Sequence, residues 1–172
     1  LKNITFETDL VFIKRDDCIA SDPKFAKLSK EELPDLMYGV STVEKTTGLH
    51  RYNKCYKKEA KVVTPIVEQQ IRDMCKVLGT TPDKCTLLSD AGGEFNHSYF
   101  KTIMKSTKFV PMGASVEARN RVVQNRFYQC LRARKCKNVA DGIKQAEKLV
   151  NNTVNRIHKK TPIELTKQDN SE

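Results

Sequence analysis

The chain has no tryptophan and only three histidines in 172 residues. It contains no uninterrupted apolar run near the length of a membrane span, so a single-helix anchor is excluded within it. No secretory leader is visible in it: Leu1-Lys2-Asn3-Ile4 reads directly into a strand pattern. An initiator methionine is missing too, so the chain reads as a piece of something longer. No internal repeat or low-complexity tract is present. His50, His97 and His158 are scattered, and Cys18, Cys55, Cys75, Cys85, Cys130 and Cys136 include no Cys-x-x-Cys pair. Zinc needs clustered ligands of these types, and none is seen. An even cysteine count leaves a secreted disulfide framework open. Cys75 and Cys85, however, lie within apolar patterns, where free cysteine serves as a small core residue, and this favours an intracellular, reducing compartment.

What is present is charge. Lysine and arginine exceed aspartate and glutamate by a net +10, charged residues make up 30% of the chain and hydrophobic ones 38%. The length suits one domain with a real core. The basic excess points to a polyanionic partner, nucleic acid or an acidic membrane surface, or to a merely soluble basic protein. Its placement favours nucleic acid: from Ala118 to Ala140 there are seven lysines and arginines and no acid.

Residues 4–13 alternate with period two, Ile4, Phe6, Leu10 and Phe12 on one face and Glu7, Asp9, Val11 and Ile13 on the other, which is a strand. Residues 14–36 carry charge, Pro and Ser without a sustained period and read as an inserted loop with one short helix near Ser29–Leu33. Residues 37–44 and 49–56 form two strands joined by a turn at Lys45-Thr46-Thr47-Gly48. Residues 59–78 have a helical stripe; Thr64 as cap with Pro65 in the first turn would accommodate the proline, and Gly79 closes the helix. A fourth strand spans 84–90, a short helix 96–106 and a fifth strand 108–110. After a brief link at 111–114, a long helix runs from about Ser115 to Lys135 and an amphipathic one over 139–157. The remainder, His158 to Glu172, is polar and loose. This order is α/β.

Three acids could meet in such a fold. Asp9 lies mid-strand, where an unpaired carboxylate is costly unless the strand is a solvated edge. Asp90 ends an apolar strand before Gly92 and Gly93, and read alone it serves equally well as a turn or helix cap. Glu117 falls in the first turn of the long helix, where the dipole favours its charged form if Ser115 is the cap; alone it is an ordinary solvated residue. Together they offer hard oxygen ligands without His or Cys, a set that selects Mg²⁺ or Mn²⁺. A two-metal site of this kind supports phosphodiester displacement. The stripe that continues through Arg121, Gln124, Tyr128 and Arg132 would lie along a nucleic-acid backbone, unless it is only a solvated surface.

Phe6-Glu7-Thr8-Asp9-Leu10, Ser89-Asp90-Ala91-Gly92-Gly93-Glu94-Phe95 and Val116-Glu117-Ala118-Arg119-Asn120-Arg121 resemble the three acidic motifs of the retroviral-type integrase catalytic core (the rve family). The close of the chain, with Asn151, Asn152, Asn155, His158 and Thr161-Pro162-Ile163-Glu164-Leu165, is similar as well. The long segment after the first Asp looks closest to integrases of Polinton/Maverick-type transposons and virophages, with retrotransposon integrases as the alternative. The resemblance implies a ribonuclease H-like fold, a mixed five-stranded sheet with three antiparallel strands then two parallel ones, flanked by helices. It implies an Asp-Asp-Glu triad at Asp9, Asp90 and Glu117 that holds Mg²⁺ or Mn²⁺ for DNA 3′-end processing and strand transfer. It further implies DNA contacts from Asn120, Arg121 and Gln124, pairing into dimers or higher multimers, and action in a host nucleus. Residues 1–165 would be the core, and 166–172 a flexible tail.

The sequence departs from the family in three places. Asp90 and Glu117 are 27 residues apart, shorter than the family's usual interval; Asp9 and Asp90 are 81 apart, a long interval that residues 14–36 explain; and Gln124 stands where lysine is frequent. Two other functions therefore stay open: a related nuclease of the same fold, and a catalytically impaired core that serves as a DNA-binding or scaffold module.

Overall fold

The computed structural model of the protein describes residues 3–90, 92–110 and 114–170, and the side chains of all of these except 114–117 and 168–170. The alternating first segment is strand β1, Thr5–Lys14. It pairs antiparallel with β2, Leu36–Glu44, which pairs antiparallel with β3, His50–Cys55. On its other side β1 runs parallel to β4, Thr86–Ser89, and β4 parallel to β5, Ser106–Phe109. The order β3-β2-β1-β4-β5 puts β1 in the middle of a mixed five-stranded sheet, as expected. A central strand covered on both sides explains why both faces of β1 are apolar. Ile4 and Phe6 enter one core, Val11 and Ile13 the other.

The first core is closed by helix α2, Ala60–Leu78, and helix α3, His97–Ile103. Helix α2 begins five residues earlier than the proline suggests, so Pro65 lies inside it. The amides of Val62 and Val63 both bond to Glu59 O at 2.9 Å, and the extra turn buries Val63 completely. Burial of that side chain, together with Val67 and Ile71, offsets the interior proline, which costs about 3 kcal/mol. Gly79 ends the helix with φ 68°, and Thr80 N–H reaches back to Cys75 O at 3.0 Å.

The second core lies under helices α4, Ala114–Arg132, and α5, Val139–Asn151. It is completed by the segment expected to be a loop. Residues 15–21 form helix α1, Arg15–Ser21, followed by a 3-10 turn over Pro23–Lys27; near Ser29–Leu33 there is only a turn, with Leu33 N–H on Ser29 O at 2.9 Å. Cys18, Phe25 and Leu33 are buried with Phe127 and Leu131. Seven residues hold too few turns for a helical period to show in the sequence. The Arg15 guanidinium ties the segment together, donating to Leu33 O at 2.6 Å, Leu28 O at 2.7 Å, Ala26 O at 3.3 Å and Ser29 O at 3.4 Å.

Two further differences concern the end of the chain. Helix α5 stops at Asn151, short of residue 157. The region read as loose and polar holds helix α6, Pro162–Asn170, so the expected tail is helical as far as residue 170. Its start is a reciprocal capping box: Glu164 Oε2 accepts from Thr161 N–H at 2.9 Å, and Thr161 Oγ1 from Glu164 N–H at 3.1 Å. Helix α5 also lines the outer side of β3. Asn151 accepts from His50 N–H at 2.8 Å and donates to His50 O at 3.0 Å, while Glu147 accepts from Tyr52 N–H at 2.9 Å.

Candidate functional site

Strand pairing brings two of the three expected acids together. The parallel register sets Thr5 beside Thr86 and Glu7 beside Leu88, an offset that carries Asp9 level with Asp90, one residue past the end of β4. Both then stand at the rim of adjacent parallel strands, where open α/β sheets place ligand sites. Asp9 is buried. Its Oδ1 accepts from Leu10 N–H at 2.8 Å and its Oδ2 from the Asn120 side chain at 2.6 Å. Burial raises its pKa above the usual carboxylate range, against these two bonds, and the negative charges of Asp90 and Glu94 push it the same way. Asp90 Oδ1 accepts from Gly92 N–H at 2.9 Å, which closes the turn. Ser89, just before it, donates to Asp90 O at 3.0 Å and lies 2.6 Å from His97 Nε2; the imidazole packs at a tilt against Phe109, with ring centroids 4.0 Å apart.

Helix α4 is laid along β1 by polar contacts. Arg119 pairs with Glu7 at 2.7 Å, Asn120 bonds Asp9, and Gln124 donates to Phe12 O at 2.8 Å. Tyr128 is half-buried beside Cys18, and desolvation lifts its pKa to about 12. Arg121 and Arg132 are exposed. The expected nucleic-acid stripe thus divides: Asn120, Gln124 and Tyr128 turn toward the protein, and the two arginines toward solvent. Glu117 is in the first turn of α4, but its side chain lies outside the described residues. So do the side chain of the expected cap Ser115, which falls within the helix after Ala114, and residues 111–113 of the expected link.

The structure adds residues that the sequence reading passes over. Glu7 shares Asp9's face of β1, as the alternation already showed, and is buried with Arg119 as its partner. Glu94 is buried near Lys58 at 3.7 Å. His50 is buried next to Arg119; desolvation brings its pKa down to about 4, and Nε2 has no partner among the described residues. Glu7, Asp9, Ser41, His50, Arg119 and Asn120 enclose a cavity of about 10 Å³, the size of one water molecule. No tract of sequence announces such a cluster, because it depends on which strands pair.

The donor set fits a hard divalent cation in kind. Asp9 and Asp90 supply carboxylate oxygens at one rim, and the raised pKa of Asp9 is what a nearby cation would reverse. Among the described residues no group of three or more His, Cys, Asp or Glu side chains is arranged to hold a metal ion. The described residues thus offer two carboxylates at this rim, Asp9 and Asp90, as candidate ligands.

Comparison with solved structures now places the architecture. The fold is the ribonuclease H-like fold of integrase catalytic cores. The HTLV-2 integrase catalytic core domain, solved in complex with magnesium, superposes with a TM-score of 0.66 at 14% identity, covering 96% of this chain and 97% of that one. The BIV integrase core gives 0.65 at 15% identity, over 97% and 95%. A chain of the simian T-cell lymphotropic virus intasome gives 0.68 at 13% identity, over 96% of this chain and 55% of that one. In sequence, a transposon-derived protein of Caenorhabditis elegans is 30% identical over 110 residues, 60% of this chain. The match spans 38% of that protein's length. No protein-family model matches the sequence.

Proposed function

We propose that this chain is the catalytic core of a DNA integrase or transposase, a polynucleotidyl transferase that processes DNA 3′ ends and joins them to target DNA. The observation that carries the reading is the level placement of Asp9 and Asp90 on adjacent parallel strands of an integrase-core fold. In this reading Asp9 and Asp90, with Glu117 from the start of α4, hold Mg²⁺ or Mn²⁺. The cation would activate the attacking oxygen and stabilise the leaving one. The chain's own residues do the positioning: Asn120 orients the Asp9 carboxylate, the Gly92 amide orients that of Asp90, and Arg119 on Glu7 seats α4 against β1. Arg121 and Arg132, exposed on α4, contact DNA phosphates.

The source element we propose is of the Polinton/Maverick or virophage type, on the strength of the folded segment between β1 and β2. The working form is a dimer or higher multimer acting in a host nucleus. The test is Mn²⁺-dependent cleavage and joining of oligonucleotide DNA, including a disintegration-type substrate, beside Asp90→Asn and Glu117→Gln. Loss of activity in both variants is expected, with joining as well as cleavage in the parent. Cleavage without joining would make the chain a nuclease.

A second reading, a core that binds DNA without catalysis, draws on the 27-residue interval between Asp90 and Glu117. Absence of activity together with no rise in Tm on adding Mn²⁺ would select it.

A further inference from the structure

Away from the carboxylates, a groove of about 440 Å³ opens between the β2–β3 turn, the outer side of α4 and the segment that follows α5. Its wall is aliphatic. Val122 is 50% exposed, Val154 58% and Ile157 85%, and all three line the same groove. Single exposed aliphatics need no explanation, but three that converge on one concavity mark an interaction site. The rim is cationic: Lys45, Arg119 and Arg126 contribute to the lining, and no carboxylate does among the described residues.

These two properties select the occupant. A phosphate backbone would match the cations but gains nothing from Val122, Val154 and Ile157, which offer neither a stacking plane nor a hydrogen bond. A polypeptide that carries aliphatic and acidic side chains close together matches both the wall and the rim. The volume falls within the range of pockets that enclose a ligand.

We propose that this groove docks an acidic, aliphatic-rich peptide segment of a protein partner. The proposal does not depend on the catalytic reading, because none of the three aliphatic residues touches Asp9 or Asp90 through any contact described above. It has a consequence for that site, since Arg119 lines the groove and also holds Glu7 at 2.7 Å. A partner carboxylate at the inner end of the groove would share the guanidinium with Glu7.

The experiment is selection of short random peptides displayed on phage against the folded chain, followed by fluorescence anisotropy with labelled copies of the enriched sequences. Enriched peptides are expected to combine Asp or Glu with Leu, Ile, Val or Phe, and to bind with a Kd on the order of 1–100 µM. Val154→Glu and Ile157→Glu, both at exposed positions, should each weaken binding by about tenfold or more at unchanged Tm, and Arg126→Ala by severalfold. Peptides without that composition, or equal binding to Val154→Glu and Ile157→Glu, would overturn the proposal. So would a same-length oligonucleotide that displaces the peptide and itself loses affinity in Val154→Glu, because the groove would then be a nucleic-acid surface.

Discussion

At the scale of single residues, Asp9 and His50 respond to pH in opposite directions. Burial raises the pKa of Asp9 in the folded protein, so the folded state holds that proton more tightly than the unfolded chain. Stability then falls as pH rises from the ordinary carboxylate value through the raised one, and the cost persists at neutral pH. Asp9→Asn should therefore raise Tm at pH 7 in metal-free buffer, have little effect near pH 4, and abolish DNA cleavage; calorimetry at the two pH values checks it. His50 is held neutral by burial, with its pKa down to about 4. The unfolded chain takes up a proton near pH 6.5 that the folded one refuses. His50 thus removes up to roughly 3 kcal/mol of stability as pH falls from 6.5 to 4. Chemical denaturation of His50→Gln across that range should show the acid-side loss reduced by a comparable amount.

At the scale of elements, α4 depends on its seating against β1. Adjacent residues of the helix, Arg119 and Asn120, reach alternate residues of the strand, Glu7 and Asp9. Arg119→Met leaves the buried Glu7 carboxylate without its partner and should cost about 3 kcal/mol, whereas Glu7→Gln, which strands the partly exposed Arg119, should cost less. The double variant should recover much of that stability, and the coupling energy from the four proteins measures the pair. Arg15→Ala tests the segment between β1 and β2. With four carbonyls deprived of their donor, the expected cost is about 2–3 kcal/mol, with early proteolysis confined to residues 22–35.

How much of this was legible in the sequence also varies by element. Alternation in β1 gives both its strand character and its two faces, and Glu7 and Asp9 already share one of them. The capping box of α6 stands in Thr161-Pro162-Ile163-Glu164 and was legible to anyone reading start signals over composition. Helix α1 was not, being too short for its period. The partnership of Asp9 with Asp90 depends on strand register, which a lone sequence leaves open until pairing is known. Pro65 misleads because a local penalty is outweighed by burial that only the tertiary fold reveals.

On the scale of the whole molecule, the sheet divides two hydrophobic cores, and β1 contributes to both. Phe127 is fully buried in the second core, edge-on to Tyr52 at 6.4 Å and to Tyr128 at 5.0 Å. Phe127→Ala should cost about 3–5 kcal/mol, measured by urea unfolding, with α4 loosened along its length.

The side chains of α5 that bond β3 have a further effect. A border strand with open amides and carbonyls is a template on which another chain can add a strand. On β3 that invitation is withdrawn, since Asn151 and Glu147 occupy backbone groups that a newcomer would need. The opposite border, β5, is only four residues long and carries Lys108. Templated growth of the sheet is thereby discouraged at both ends, so any contact between copies of this chain would fall to helices and loops.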